Sequence, residues 1–105
     1  MHVLVFENNL MWSARLVRTL GSLGHTATVI GVIPEDLPAA EVAIVNLGSA
    51  GASELVGRLK AAGIYTIGHA GHKEKDLQAL GKAAGCDRLA SNSELTFKLE
   101  GLLPG

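Results

Sequence analysis

The tightest constraint on this chain is an alternation. Short β-favouring runs that end in polar or glycine residues are separated by segments whose apolar residues recur at helical spacing. Val3 to Phe6 is the first such run. It ends in Glu7-Asn8-Asn9, as a buried strand does when its C-terminal end delivers polar side chains. From Leu10 to Leu23 the residues Leu10, Trp12, Leu16, Val17, Leu20 and Leu23 follow the helical period, Arg15 and Arg18 fall between them, and Gly24 stands where a helix would stop. His25 to Ile30 alternates polar and β-branched residues, which predicts a second strand nearer an edge.

The stretch VIPEDLPAA carries Pro34 and Pro38, which leave room for one turn of helix at most. Val42 to Leu47 predicts a third strand, apolar until Asn46. The glycine-rich GSAGAS follows, closing at Ser53 as the expected N-cap of a helix through Glu54, Leu55, Val56 and Leu59 to Gly63. Ile64 to Ile67 predicts a fourth strand, GHAGH a loop, and Lys73 to Ala84 a helix stopped by Gly85. Asp87 to Ala90 reads as a short fifth strand. Glu94 to Leu103 reads as the last helix, with Ser93 as its N-cap and Leu95, Leu99, Leu102 and Leu103 facing the core.

Strands alternating with helices in this way require right-handed crossovers, so the expected fold is α/β, a parallel sheet between two helical layers. At 105 residues there is length for one hydrophobic core, and one domain over residues 1–105 is expected. The balance of 48% apolar to 18% charged residues is that of a sheet buried on both faces. In such sheets ligands and chemistry collect at the carboxyl ends of the strands. The candidate site residues are therefore Glu7, Asn8, Asn46, the Gly68 to His72 loop, Ser91 and Asn92.

Charge and cysteine content narrow the function classes. Nine Lys and Arg against ten Asp and Glu give a formal charge of -1, with no basic stripe to neutralise phosphates, so direct nucleic-acid binding is not expected. Cys86 is the single cysteine and allows neither an internal disulfide nor a multi-cysteine metal site. The start of the chain lacks the basic and apolar regions of a secretory signal, and no segment reaches the ~18 consecutive apolar residues of a membrane span. A cytoplasmic protein without membrane contact is expected.

The order of elements, with the segments VLVFENN, VAIVNLGSAG and AAGCDRLASNS, resembles the receiver domain of bacterial two-component response regulators over essentially the whole chain. The resemblance implies a flavodoxin-like three-layer sandwich with strand order 2-1-3-4-5, here with the second helix much shortened. An active receiver has two acidic residues after strand one and a phospho-accepting aspartate after strand three. It also has a hydroxyl residue after strand four and a lysine after strand five, preceded by a Gly-Ala-Asp-like segment. On that pattern Glu7 and Asn8 stand for the acidic pair, Asn46 for the phospho-acceptor, and Ala70 or Gly71 for the hydroxyl residue. Gly85-Cys86-Asp87 matches the last segment, which puts Asn92 at the lysine. The loop after Asn46 is shorter than usual by about two residues.

These departures bear on chemistry. An acyl phosphate needs a carboxylate nucleophile, which the Asn46 amide is not. Mg²⁺ favours hard anionic oxygens, and the pattern's three carboxylates have shrunk to that of Glu7, so no metal or other cofactor is expected. An ammonium in place of Asn92 would lack counter-charges, so both signs of charge have gone together. The expectation is a degenerate, non-phosphorylatable pseudo-receiver that is not an enzyme and acts by binding another protein. In that family the face made by the fourth helix, fifth strand and fifth helix commonly carries partner or dimer contacts. Here it corresponds to Lys73, Lys75, Arg88, Leu89, Ser91, Glu94 and Lys98, for an unidentified protein partner or a homodimer.

Each residue also has a plainer reading. Glu7 is expected as an exposed or helix-capping carboxylate, and Asn8, Asn9 and Asn46 as turn and cap residues. His69 and His72 are expected as exposed loop imidazoles with no third metal ligand, their role open. Cys86 reads as a buried structural thiol and Trp12 as helix packing. GSAGAS lacks the spacing of a phosphate loop. The alternative function is a small-ligand binder of mononucleotide or flavin type, using the cleft between Glu7, Asn46 and GHAGH.

Overall fold

A computed structural model describes residues 1–105. The elements run β1 (His2–Phe6), α1 (Leu10–Ser22), β2 (Thr26–Ile30), β3 (Val42–Asn46), α2 (Ala52–Ala61), β4 (Tyr65–Ala70), α3 (Lys75–Ala84), β5 (Arg88–Ser91), α4 (Asn92–Phe97) and α5 (Leu99–Leu102). The five strands form one sheet in the order β2-β1-β3-β4-β5, every pair parallel. This is the expected flavodoxin-like sandwich. The segment between β2 and β3, where two prolines leave room for a turn at most, contains no helix.

Alternation along the strands sorts side chains into two cores, one on each face of the sheet. Val3, Val5, Val42, Ile44, Ile67 and Ala90 meet Leu16 and Leu20 of α1 and Leu95, Leu99 and Leu102 of α4 and α5. Leu4, Phe6, Ala43, Val45 and Ala70 meet Leu55, Val56 and Leu59 of α2, with Leu77 of α3 packed against them. Ile33, Leu37 and Ala40 cover this second face from a helix-free connection, so the β2–β3 segment does a helix's work of burial without being one. Each fully buried Leu, Ile or Val contributes about 1.5–3 kcal/mol, and a one-residue register slip would turn a whole strand's set onto the wrong core.

Local chemistry ends the elements. Asn9 caps α1, its side-chain oxygen accepting from the Trp12 N–H at 3.1 Å, and Gly85 closes α3 at φ 102°, a left-handed conformation that favours glycine. Three expectations are corrected. α2 begins at Ala52 behind Gly51, so Ser53 lies inside the helix and is not its cap. The last helix is capped by Ser91, not Ser93, and breaks at Lys98 into α4 and α5. β4 runs on through Ala70, which takes Gly68, His69 and Ala70 out of the expected loop. No helix is long and apolar enough to cross a membrane.

Candidate functional site

Strand parity assembles the site. Glu7 follows Phe6 on the face of β1 that carries Val3 and Val5, Asn46 follows Ile44 by two residues, and His69 follows Ile67 by two. Asn46 and His69 are register partners, so the three side chains meet over the carboxyl ends of β1, β3 and β4. α1 adds Trp12 and the start of α4 adds Asn92. A cleft of about 530 Å³ opens here, lined by these residues and by Asn8, Asn9, Gly48, Ser49, Ala70 and Glu74.

Glu7 is buried, 7% exposed, where an exposed or capping carboxylate is expected from the sequence. Its Oε2 accepts from the backbone N–H groups of Asn8 at 2.9 Å and Asn9 at 3.2 Å, and the Asn46 amide donates to both carboxylate oxygens at 3.2 and 3.3 Å. Asn46 in turn accepts from the Gly48 N–H at 2.9 Å, so the expected local turn bond exists together with a long-range one. Asn8 is exposed at the rim.

His69 is the side chain that β4 delivers to the cleft, one residue before the expected Ala70 or Gly71. Ala70 points into the core on the other face, and Gly71 lies past the strand, its N–H donating to Glu74 Oε1 at 2.8 Å. The expected exposed imidazole is 2% exposed. Its Nδ1 lies 2.9 Å from Asn92 Oδ1, its ring centroid 4.6 Å from that of Trp12, and its Nε2 3.7 Å from Glu7 Oε1 with no hydrogen-bond partner. Burial pushes the imidazole below its ordinary range, against the upward pull of the Asn92 bond and the Glu7 charge. His72 is exposed and apart from it. The signal that would have placed His69 is the parity count from Ile67, once β4 is known to continue.

No Lys or Arg lines the cleft. The donors do not fit Mg²⁺. One buried carboxylate, already accepting from two backbone N–H groups and a side-chain amide, stands with neutral amides, and no three His, Cys, Asp or Glu side chains gather anywhere to hold a metal. Cys86 is half-buried against the second core, and burial, then the neighbouring Asp87 charge, pushes its thiol up, away from the reactive thiolate.

The expected partner face divides in two. Lys73, Lys75, Arg88, Glu94 and Lys98 are exposed. Leu89 packs on the second core, and Ser91 is committed to α4, its hydroxyl accepting from the Glu94 N–H at 3.0 Å while Glu94 Oε1 accepts from the Ser91 N–H at 3.0 Å. The sequence reading passed over Phe97, which ends α4 81% exposed beside Lys98.

No protein-family model matches the chain, and no curated protein matches it. Solved structures do. An orphan response regulator of H. pylori matches with a TM-score of 0.79 at 18% identity, over 99% of this chain and 97% of its own. A Burkholderia pseudomallei response regulator, solved with a phosphorylated aspartic acid, calcium ion and citrate, matches at 0.82 and 15% identity, over 98% of this chain and 66% of its own. A Francisella response regulator receiver domain matches at 0.72 and 15% identity, over 96% and 94%. The chain has the fold of response regulator receiver domains.

Proposed function

We propose that this chain, on its receiver fold, is a single regulatory domain over residues 1–105 that takes no phosphate and acts in cytoplasmic signal transduction by binding a protein. The observation that carries the reading is Asn46. It ends β3 where an active receiver holds its nucleophilic aspartate, and its amide is tied to Glu7 on one side and Gly48 on the other. An amide cannot form the acyl phosphate. A phosphoryl group would also meet the Glu7 carboxylate, with no cation on any wall of the cleft to offset it.

The nearby hydroxyls are not poised nucleophiles. Ser49 donates to the Asn46 carbonyl at 2.6 Å, and Ser91 is the cap of α4. A regulatory, non-enzymatic role is consistent with that commitment. For the partner surface, the exposed Phe97 beside Lys98 at the end of α4 offers an aromatic anchor, and Lys73, Lys75, Arg88 and Glu94 supply further exposed charges. The partner is another protein or a second copy of the chain. A nucleotide-type ligand in the cleft is disfavoured by the same lack of cations.

The test is a titration of isotopically labelled protein with Mg²⁺ and then beryllofluoride, an acyl-phosphate mimic, following the amides of Glu7, Asn8, Asn46, His69 and Asn92. No saturable shift is expected from either. Saturable shifts that spread to Lys73–Leu103 would overturn the reading and restore a phosphate-type switch.

A further inference from the structure

We infer that the strand-end cleft is a proton-binding switch, in which one proton taken up from solvent on His69 Nε2 joins Glu7, His69 and Asn92 into a single hydrogen-bonded chain. The inference rests on the reading that this pocket takes no phosphate, and names what operates it instead.

The geometry is one hydrogen short. Asn92 Oδ1 is a carbonyl oxygen and only accepts, so the 2.9 Å bond to it puts a hydrogen on His69 Nδ1. In the neutral ring Nε2 is then bare. It faces Glu7 Oε1, also an acceptor, at 3.7 Å, and it has no other partner. That separation is longer than an N–H···O bond of about 2.7–3.2 Å, and too short for a bridging water, which needs two such bonds in series. A proton on Nε2 supplies the missing donor, and the ring then donates to Asn92 on one side and Glu7 on the other. Closing the 3.7 Å gap to bonding distance takes a shift of about 0.5 Å.

The surroundings set the direction. Glu7, just past the end of β1, is the charged group that faces the ring, its Oε1 3.7 Å from Nε2. α1 presents Trp12, β3 Asn46 and α4 Asn92, all neutral, while Glu74 at the N-terminal end of α3 stands on the wall of the cleft. Burial keeps the ring neutral at pH 7, and uptake follows on acidification below the ordinary imidazole range of about pH 6.5. The event reaches two elements directly. Trp12 of α1 lies against the ring, and Asn92 opens α4 next to the Ser91–Glu94 cap.

The test follows the His69 ring nitrogens by ¹⁵N NMR from about pH 8 down to 5, alongside the fluorescence of Trp12, the single tryptophan of the chain. Expected is the Nδ1–H tautomer at neutral pH, converting to the doubly protonated ring, with Trp12 fluorescence falling at the same midpoint. His69→Gln should abolish the fluorescence change, Glu7→Gln should move the midpoint to lower pH, and Asn92→Asp should raise it. An Nε2–H tautomer at neutral pH would mean that the Asn92 amide is turned over and the chain is already complete, which overturns the inference. So would a ring that stays neutral to about pH 5 in folded protein. Both readouts work on the unaltered chain, so a misfolded variant leaves the answer intact. A beryllofluoride response would sink the proposed function, whereas a silent beryllofluoride titration with an untitrated His69 would sink only the proton switch.

Discussion

The Asn46 amide nitrogen stands between the two Glu7 carboxylate oxygens, 3.2 and 3.3 Å away, while its oxygen accepts from the Gly48 N–H at 2.9 Å. One residue donates to a buried charge and accepts from the loop that follows. Aspartate at this position would keep the loop bond and set a second negative charge against Glu7, with the donor gone. Asn46→Asp is expected to cost about 1–3 kcal/mol at pH 7, by loss of a hydrogen bond to a charged group and by like-charge repulsion. Urea unfolding of both proteins at neutral and mildly acidic pH checks this, and the deficit should shrink as the paired carboxylates take up a proton. An unchanged midpoint at pH 7 would mean that the Asn46–Glu7 contact contributes nothing.

Gly81 lets α3 sit close to the sheet. A Cβ there would meet Leu47 Cδ1 at 2.6 Å, Leu89 Cδ2 at 2.8 Å and Leu47 Cδ2 at 3.1 Å. In an exposed helix Gly→Ala would gain about 1 kcal/mol. Here overpacking of the second core outweighs that gain, because Leu47 is buried and two of the three contacts fall under 3.0 Å, so both leucine side chains must shift. Gly81→Ala is expected to lose about 1–3 kcal/mol net. Adding Leu47→Val, which removes both δ methyls, should recover part of it. Thermal unfolding of the single and double variants decides, and a stabilised single variant would refute the close packing.

What was legible in the sequence is what local chemistry decides. Apolar period, the Asn9 cap and the Gly85 stop are set within a few residues, and they placed α1, α3 and the strand cores correctly. The strand order came through the receiver resemblance of the whole chain. The end of β4 did not, because it is fixed by pairing. Asn46 and Ser91 hold His69 and Ala70 in ladder register from either side, although Gly68 and Gly71 read as loop. The burial of Glu7 likewise arises from three strand ends and α1 converging, which no single segment of sequence contains. Ser91 is different, since Ser91-Asn92-Ser93-Glu94 already spells the capping box S-x-x-E and Ser93 lacks the partner glutamate three residues on.

That capping box makes a direct comparison possible. Ser91 and Glu94 satisfy each other's backbone N–H at 3.0 Å in each direction, on a helix of only six residues. Ser91→Ala is expected to cost about 0.5–2 kcal/mol. Ser93→Ala, exposed and outside the cap, should lie within about 0.5 kcal/mol of the parent. Unfolding midpoints of the two variants provide the measurement, and equal losses would return the cap to Ser93.

His69 also sets how stability follows acidity. Burial, the largest influence on it, holds the folded-state imidazole below its unfolded value of about 6.5, with the Asn92 bond and Glu7 opposing. The unfolded chain therefore takes up the proton first. Stability falls as pH drops from neutrality through about 6.5, and this contribution levels off once the folded ring is itself protonated. The depressed carboxylates act in a separate, lower window. The Ser91 N–H holds Glu94 down, and at Asp87 the Lys60 ammonium and the Thr66 N–H outweigh an upward push from burial. Their contributions are present above the unfolded carboxylate range and are lost as pH falls through the lowered folded values. Unfolding free energy measured for the parent and for His69→Gln between about pH 7.5 and 5.5 separates the two windows. The parent should lose stability over that interval more steeply than the variant. Parallel curves would show that His69 titrates alike in both states and is not held neutral by the core around it.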